Sequence, residues 1–348
     1  MWNRVRFSLK QSAVAVCILV WSVPGVTFAA RSWAAGGSSV ARPAPVVPAK
    51  DKNPRPRSGF VASWDGTKIH YIESGRSKTP VGDAEVGNPL PPTVTITKGQ
   101  ISVTGPHRFP SILFVPGWTM PGWIWENQIS HLSVDYHVVA MDPRSQGESA
   151  KPCDGNYPAA RARDIKAVID QLHLAPVVLV GWSMAATEIA SYVDQFGTSG
   201  LAGIVFVDGA VAFDIAGDGL KGYLDFLKAA QTNREKWTSD FVRGMYKKPQ
   251  AEEYLQRVIK ASLQTPTDSA ITMALAMITT DNRPALAKID KPTVIVGSTE
   301  RMKPMFEEMQ KKIPGARLEM LSDAGHALFV DDAEKFNILL DEFLTSLK

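Results

Sequence analysis

The sequence predicts an α/β protein, with a mostly parallel central sheet and helices on both of its faces. Three observations point there: short apolar runs recur along the chain, several are apolar throughout as doubly covered strands are, and helical stretches separate them. At 348 residues, 45% hydrophobic and 21% charged, the chain can bury one large core with a smaller domain attached, and wholesale disorder is excluded.

The chain opens with Arg4, Arg6 and Lys10, an apolar run from Ala13 to Val23, then Pro24, Gly25 and Thr27-Phe28-Ala29-Ala30. A basic start, an apolar middle and a small-residue site predict a signal peptide over residues 1–29, cleaved after Ala29. The run is too short to span a bilayer, which takes about 20 residues, so no stable membrane span is expected after cleavage. Cleavage removes Cys17 and leaves Cys153 as the only cysteine, so no internal disulfide is expected. None of the eight asparagines begins an Asn-x-Ser/Thr acceptor. Export to a bacterial periplasm, or secretion, is the expected localisation.

Arg4, Arg6 and Lys10 also account for the whole formal charge of +3, leaving a neutral remainder. No basic run exceeds two residues, so the chain lacks the electrostatic footprint that phosphate neutralisation demands of a nucleic-acid binder. A small molecule is the expected partner.

Residues 30–58 hold Gly36-Gly37-Ser38-Ser39 and prolines 43, 45, 48, 54 and 56, the composition of a disordered linker. From Gly59 strands are expected at Phe60–Trp64, Ile69–Ile72, Ile112–Val115, His137–Met141, Val177–Val180, Ile204–Val207, Val294–Val296 and Leu318–Leu321. Helices are expected at Tyr157–Leu172, Ala185–Phe196, Pro304–Ile313 and Ala333–Leu347. Two segments interrupt this rhythm. Residues 76–110 read as an insertion with a β-hairpin, Thr93–Thr97 and Gln100–Thr104 around Lys98-Gly99. Residues 213–288 read as a helical cap, with Leu220, Tyr223, Leu224 and Leu227 on one stripe and Tyr254, Leu255, Val258 and Ile259 on another. The core is then 59–212 with 289–348.

Val177-Val178-Leu179-Val180-Gly181-Trp182-Ser183-Met184-Ala185-Ala186 runs from an apolar strand through Gly-x-Ser-x-small into a helix. That context marks Ser183 as a nucleophile on a tight turn, where small residues at 181 and 185 let strand and helix backbones approach. A serine hydroxyl needs a base. Of the six histidines, His70, His107, His131, His137 and His173 have structural readings, whereas His326 sits in a strand-to-helix loop near the end of the chain. Two acids satisfy the order Ser, acid, His: Asp208 after the 204–207 strand, and Glu300 after the 294–296 strand. Asp208 is preferred, because Glu300 is longer and has Arg301 beside it; Glu300 is the alternative.

The strand Ile112–Val115 ends in Pro116-Gly117-Trp118-Thr119, a turn whose amides can face an acyl carbon, so Trp118 and Met184 N–H are the expected oxyanion donors. Trp118 and Trp182 are expected to wall a pocket for apolar or aromatic groups. Met141–Ser149 reads as a structural turn fixed by Asp142 and Arg144. No metal-binding pattern, Gly-x-Gly-x-x-Gly turn or Walker loop is present, so no cofactor is expected.

Together the glycine turn at 116–118, the Asp-x-Arg-x-x-Gly-x-Ser stretch at 142–149, the elbow at Ser183 and Gly325-His326 resemble the α/β-hydrolase superfamily over residues 59–348. The resemblance implies the α/β-hydrolase fold and a serine-nucleophile branch similar to esterases, lactonases, C–C hydrolases and cofactor-free haloperoxidases or perhydrolases. It implies acyl-enzyme hydrolysis of an ester or lactone. Alternatives on the same fold are a cofactor-free dioxygenase, a lyase, or a non-catalytic ligand-binding homologue. The family commonly has His-Gly before the donor amide, where this chain has Pro116.

Overall fold

The computed structural model describes residues 55–75, 93–97, 100–104 and 110–347, with the backbone alone for 93–97 and 100–104. The strands are β1 (Arg57–Ala62), β2 (Lys68–Ser74), β3 (Thr93–Thr97), β4 (Gln100–Thr104), β5 (Ser111–Val115), β6 (Val138–Met141), β7 (Val177–Trp182), β8 (Leu201–Val207), β9 (Thr293–Gly297) and β10 (Arg317–Met320). Eight of them form one sheet in the order β1-β2-β6-β5-β7-β8-β9-β10. β1, β2 and β6 pair antiparallel, and every pairing from β6 through β10 is parallel. The predicted hairpin is the separate β3–β4 pair, Thr93 opposite Thr104. The rest of the 76–110 insertion, apart from Pro110, lies outside the described residues, as do the expected signal peptide and most of the linker. The linker ends earlier than expected. Arg57 and Ser58 are already in β1, opposite Glu73 and Ile72, and Arg57 pairs with the Glu73 carboxylate at 3.3 Å. The strand expected from Phe60 is therefore present but starts earlier, because the polar first residues of an edge strand carry too little apolar signal to be read from the sequence.

Strand alternation builds two cores, one on each face. Leu113, Leu179, Ile204 and Ile295 point to one face, covered by the helices Pro158–Gln171, Ala185–Phe196 and Lys303–Lys312. Phe114, Val180, Val205 and Val296 point to the other, covered by Glu126–Leu132 and the last helix Ala333–Ser346. That helix buries Phe336, Leu339, Leu340, Phe343 and Leu344, an apolar stripe at helical spacing. Between β8 and β9 lie the helices Asp218–Thr232, Arg234–Gly244, Glu252–Leu263, Thr267–Thr279 and Arg283–Leu286. The first of them departs from its expected stripe: Tyr223, Leu227 and Ala230 are buried while Leu220 and Leu224 are exposed. Its true buried face follows the 3.6-residue period through Tyr223, Leu227 and Ala230, where the helix packs on Thr267–Thr279.

Parallel pairing has one consequence for chemistry. The carboxyl ends of β5, β7, β8 and β9 stand along the same edge, so residues 117, 183, 208 and 298 emerge together.

Candidate active site

Ser183 leaves β7 with φ +58°, a left-handed conformation that costs a non-glycine residue about 1–3 kcal/mol. The surroundings hold it there. Its N–H donates to Val207 O at 2.8 Å, and its carbonyl accepts from Ala186 N at 3.0 Å as the next helix starts. Gly181 makes the turn possible: a Cβ there would lie 2.4 Å from Ile189 Cδ1. The effect is to lift the hydroxyl clear of the sheet edge.

His326 Nε2 lies 2.9 Å from Ser183 Oγ, and His326 Nδ1 lies 2.7 Å from Asp208 Oδ2. A carboxylate accepting from Nδ1–H leaves Nε2 with its lone pair toward the serine, ready to accept the hydroxyl proton. Asp208 is itself fixed: its Oδ1 accepts from Ser298 N at 2.7 Å, and its own N–H donates to Val296 O at 2.7 Å. It is 1% exposed, so its remaining contacts are within the protein.

Of the two acids open in the sequence, Asp208 is the one brought to the imidazole. The Glu300 side chain is 66% exposed and pairs with Lys303 at 3.4 Å. The turn after β9 reaches the imidazole's partner instead, through the Ser298 backbone.

The glycine turn after β5 presses on the serine. A Cβ on Gly117 would lie 3.0 Å from Ser183 Cβ, tight enough that the serine would have to give way by a few tenths of an ångström. Among the described residues the N–H groups of Trp118 and Met184 take no protein acceptor; Met184 follows Ser183 directly, and Trp118 follows Gly117, which lies against the serine.

A cavity of about 670 Å³ opens onto Ser183 and His326. Trp118, Tyr223, Phe226, Phe241, Tyr246 and Met277 give it an aromatic and apolar wall; besides Asp208, Lys247, Glu300 and Arg301 bring charge to it. Trp118 is locked in place, its Nε1 donating to Ala270 O at 2.8 Å and its ring edge-on to Trp237 and Phe241. The Arg234 guanidinium lies 5.6 Å from the Trp118 ring centroid, and burial pushes its pKa down to about 10. Trp182, expected beside Trp118 in that wall, is not part of it. It is 1% exposed, lies tilted against the His326 ring and edge-on to Phe329, and donates from Nε1 to His326 O at 2.9 Å. Strand alternation turns residue 182 into the core on the far face, where it braces the histidine loop.

Two side chains escaped the sequence reading. Asp331 is buried and accepts from Gly325 N and Lys247 N, both at 2.7 Å, tying the histidine loop to the helical insertion. Gln146, inside the stretch read as a structural turn, contacts the glycine turn. The readings of Asp142 and Arg144 as fixing that stretch agree with their contacts: Asp142 accepts from Glu148 N at 2.7 Å and Gly122 N at 2.5 Å. Arg144 makes two bonds of 2.6 Å to Asp164. Among the described residues no group of three or more His, Cys, Asp or Glu could hold a metal ion.

The chain is 29% identical over 252 residues to a non-heme chloroperoxidase, CPO-A1, of Kitasatospora aureofaciens, covering 67% of this chain and 91% of that one. It is 25% identical over 262 residues to 3-oxoadipate enol-lactonase 1 of Acinetobacter baylyi, covering 72% and 94%. The fold is similar to that of an esterase from Exiguobacterium antarcticum, with a TM-score of 0.69, 23% identity and coverage of 82% of this chain and 98% of that one. Residues 112–337 match the model of the alpha/beta hydrolase family, and the chain, an enzyme, belongs to that family.

Proposed function

We propose that this enzyme is a serine hydrolase of carboxylic esters or lactones bearing apolar or aromatic groups. The observation that carries the reading is the hydrogen-bonded line Asp208, His326, Ser183 at the mouth of an aromatic cavity. Ser183 Oγ attacks the acyl carbon as His326 Nε2 takes its proton, and the Trp118 and Met184 amides receive the negative oxygen. The intermediate collapses, His326 returns the proton to the departing alcohol, and an acyl-Ser183 remains. Water then attacks with His326 as base and releases the carboxylic acid. Asp208 holds the imidazole tautomer throughout.

Esters and lactones of graded acyl length, offered to the purified protein, test this reading together with a fluorophosphonate probe. A mass shift on Ser183 is expected. Ser183→Ala should lose about 10³-fold or more in kcat while remaining folded. Wild-type rates in that variant would rule the mechanism out. A likeness to a bifunctional esterase/perhydrolase of Acinetobacter calcoaceticus, 26% identical over 259 residues, favours a second use of the same acyl-enzyme, in which hydrogen peroxide replaces water and the product is a peracid. Peracid formed from a carboxylic acid and peroxide, lost in Ser183→Ala, would show it.

The export expectation belongs to the same proposal. The mature enzyme begins at Ala30, and intact mass of exported material retaining Met1 would contradict it.

A further inference from the structure

Three backbone groups of the glycine turn after β5 are held by one side chain, Gln146. Gln146 is 0% exposed, and its amide is fully used. Nε2 donates to Gly117 O at 3.0 Å and Met120 O at 2.7 Å; Oε1 accepts from Thr119 N at 3.2 Å and from Arg161 Nη2 at 2.9 Å. Two donors and two acceptor sites are all a carboxamide has, so its orientation is fixed by the partners.

The Gly117 carbonyl is the informative partner. It belongs to the same planar trans peptide as the Trp118 N–H, and in such a unit the C=O and N–H point in opposite directions. Gly117 also lies against Ser183. Drawing the carbonyl toward Gln146 therefore aims the Trp118 N–H the other way, out of the turn. The next residue shows that this arrangement is imposed: Thr119 is left-handed at φ +60°, at the third position of a turn closed by Met120 N on Gly117 O. Type II turns reserve that position for glycine or asparagine, and a β-branched residue stays there only under restraint. Gln146 supplies one restraint through Thr119 N, and Ser262 Oγ supplies another at 2.8 Å from Thr119 Oγ1.

Gln146 is in turn anchored to the nucleophile's own helix. Arg161 donates from Nε to Glu188 Oε1 at 2.6 Å, and Glu188 lies in the first turn of the helix that starts after Ser183. Burial pushes the Glu188 carboxyl upward, and the Arg161 charge opposes that push. A continuous buried path thus joins the helix of the nucleophile to the turn that carries the other amide.

We infer that Gln146 is a positioning residue for the oxyanion site, setting the direction of the Trp118 amide relative to Ser183. The inference rests on the hydrolase reading above. It predicts a loss in the transition state rather than in substrate binding, since an amide aimed at a developing oxyanion contributes little before charge develops.

The test is Gln146→Glu, which keeps the size and the acceptor oxygen but puts a carboxylate oxygen, which cannot donate to Gly117 O or Met120 O, in place of the amide nitrogen; if that variant does not fold, Gln146→Asn, one methylene shorter, tests the same contacts by drawing the amide back from them. Rates are normalised to active sites counted by fluorophosphonate titration, so loss of folded protein does not enter. Expected is a fall in kcat of about 10- to 100-fold with KM within about threefold, smaller than removal of a donor itself. A boronic acid that forms a tetrahedral adduct on Ser183 should weaken by the same factor as kcat/KM. Wild-type kcat per active site, or a fall in kcat/KM carried by KM alone, would overturn the inference while Ser183→Ala remained inert. Activity in Ser183→Ala would overturn the hydrolase reading first.

Discussion

Asp208 receives two donors at once, the His326 imidazole on one oxygen and the Ser298 amide on the other, and neither oxygen has room to turn away. Its backbone is left-handed, φ +44°, a conformation that aspartate tolerates better than most residues. That pairing favours Asp208 over Glu300 as the acid of the proposed triad. Asp208→Asn should preserve shape but stabilise the wrong imidazole tautomer, lowering kcat by up to about 10⁴-fold, whereas Glu300→Gln should change it by less than about threefold. Steady-state kinetics on the two variants gives the ranking, and the reverse order would move the role to Glu300. The sequence could bring the choice this far and no further. Chain order admits either carboxylate, and what separates them is the 2.7 Å contact and the burial, both products of tertiary packing. Ser183 and His326 were legible because a strand, a tight turn and a helix are local patterns. Gln146 was not, because its partners lie in a turn that starts 29 residues earlier and nothing in its neighbours' spacing points there.

At the scale of elements, the histidine loop is clamped between the sheet and the helical insertion. Trp182 holds the His326 carbonyl from the sheet side. From the other side Ala327 N donates to Met245 O at 3.0 Å, and Asp331 joins Gly325 N to Lys247 N. One carboxylate thus fixes the backbone beside the proposed base and a residue of the cavity wall together. Hydrogen bonds to a charged acceptor contribute about 1.5–3 kcal/mol each, and the two N–H groups left behind are only partly buried, so water offsets some of the loss. Asp331→Ala should therefore destabilise by about 2–4 kcal/mol in urea denaturation and reduce kcat several-fold, with Asp331→Asn intermediate because it keeps one acceptor. Unchanged stability in Asp331→Ala would show that the clamp is redundant. The strands and helices that frame this loop were readable from periodicity to within a few residues. The clamp was not, since an aspartate shortly before a helix reads as an ordinary cap.

For the whole molecule the question is whether the helical insertion behaves as a separate body. Two cores lie on the two faces of the sheet, and a third cluster joins Trp118 and Met184 from the sheet edge to Tyr223, Leu227, Ala270, Met273 and Ala274 from the insertion. The second core is shared as well, because Val242, Leu255 and Val258 of the insertion pack in the cluster that holds Phe114 and Val180. Shared burial couples stabilities: detaching the insertion would expose Trp118 and the residues around it, at about 25 cal/mol for each Å² of apolar surface returned to water. The sequence marked 213–288 as helical and amphipathic, but amphipathicity alone is silent about which surface covers the apolar face. With the partner surfaces now assigned, the insertion and the sheet should unfold as one unit. Urea unfolding followed by tryptophan fluorescence, weighted toward the ring cluster of Trp118 and Trp237, should coincide with unfolding followed by far-ultraviolet circular dichroism. An earlier fluorescence transition, with the sheet still folded, would mean that the contacts through Trp118, Met184 and Val242 are too weak to bind the two parts. In that case Asp331→Ala should widen the gap between the two curves, since it removes a direct tie from the histidine loop to the insertion.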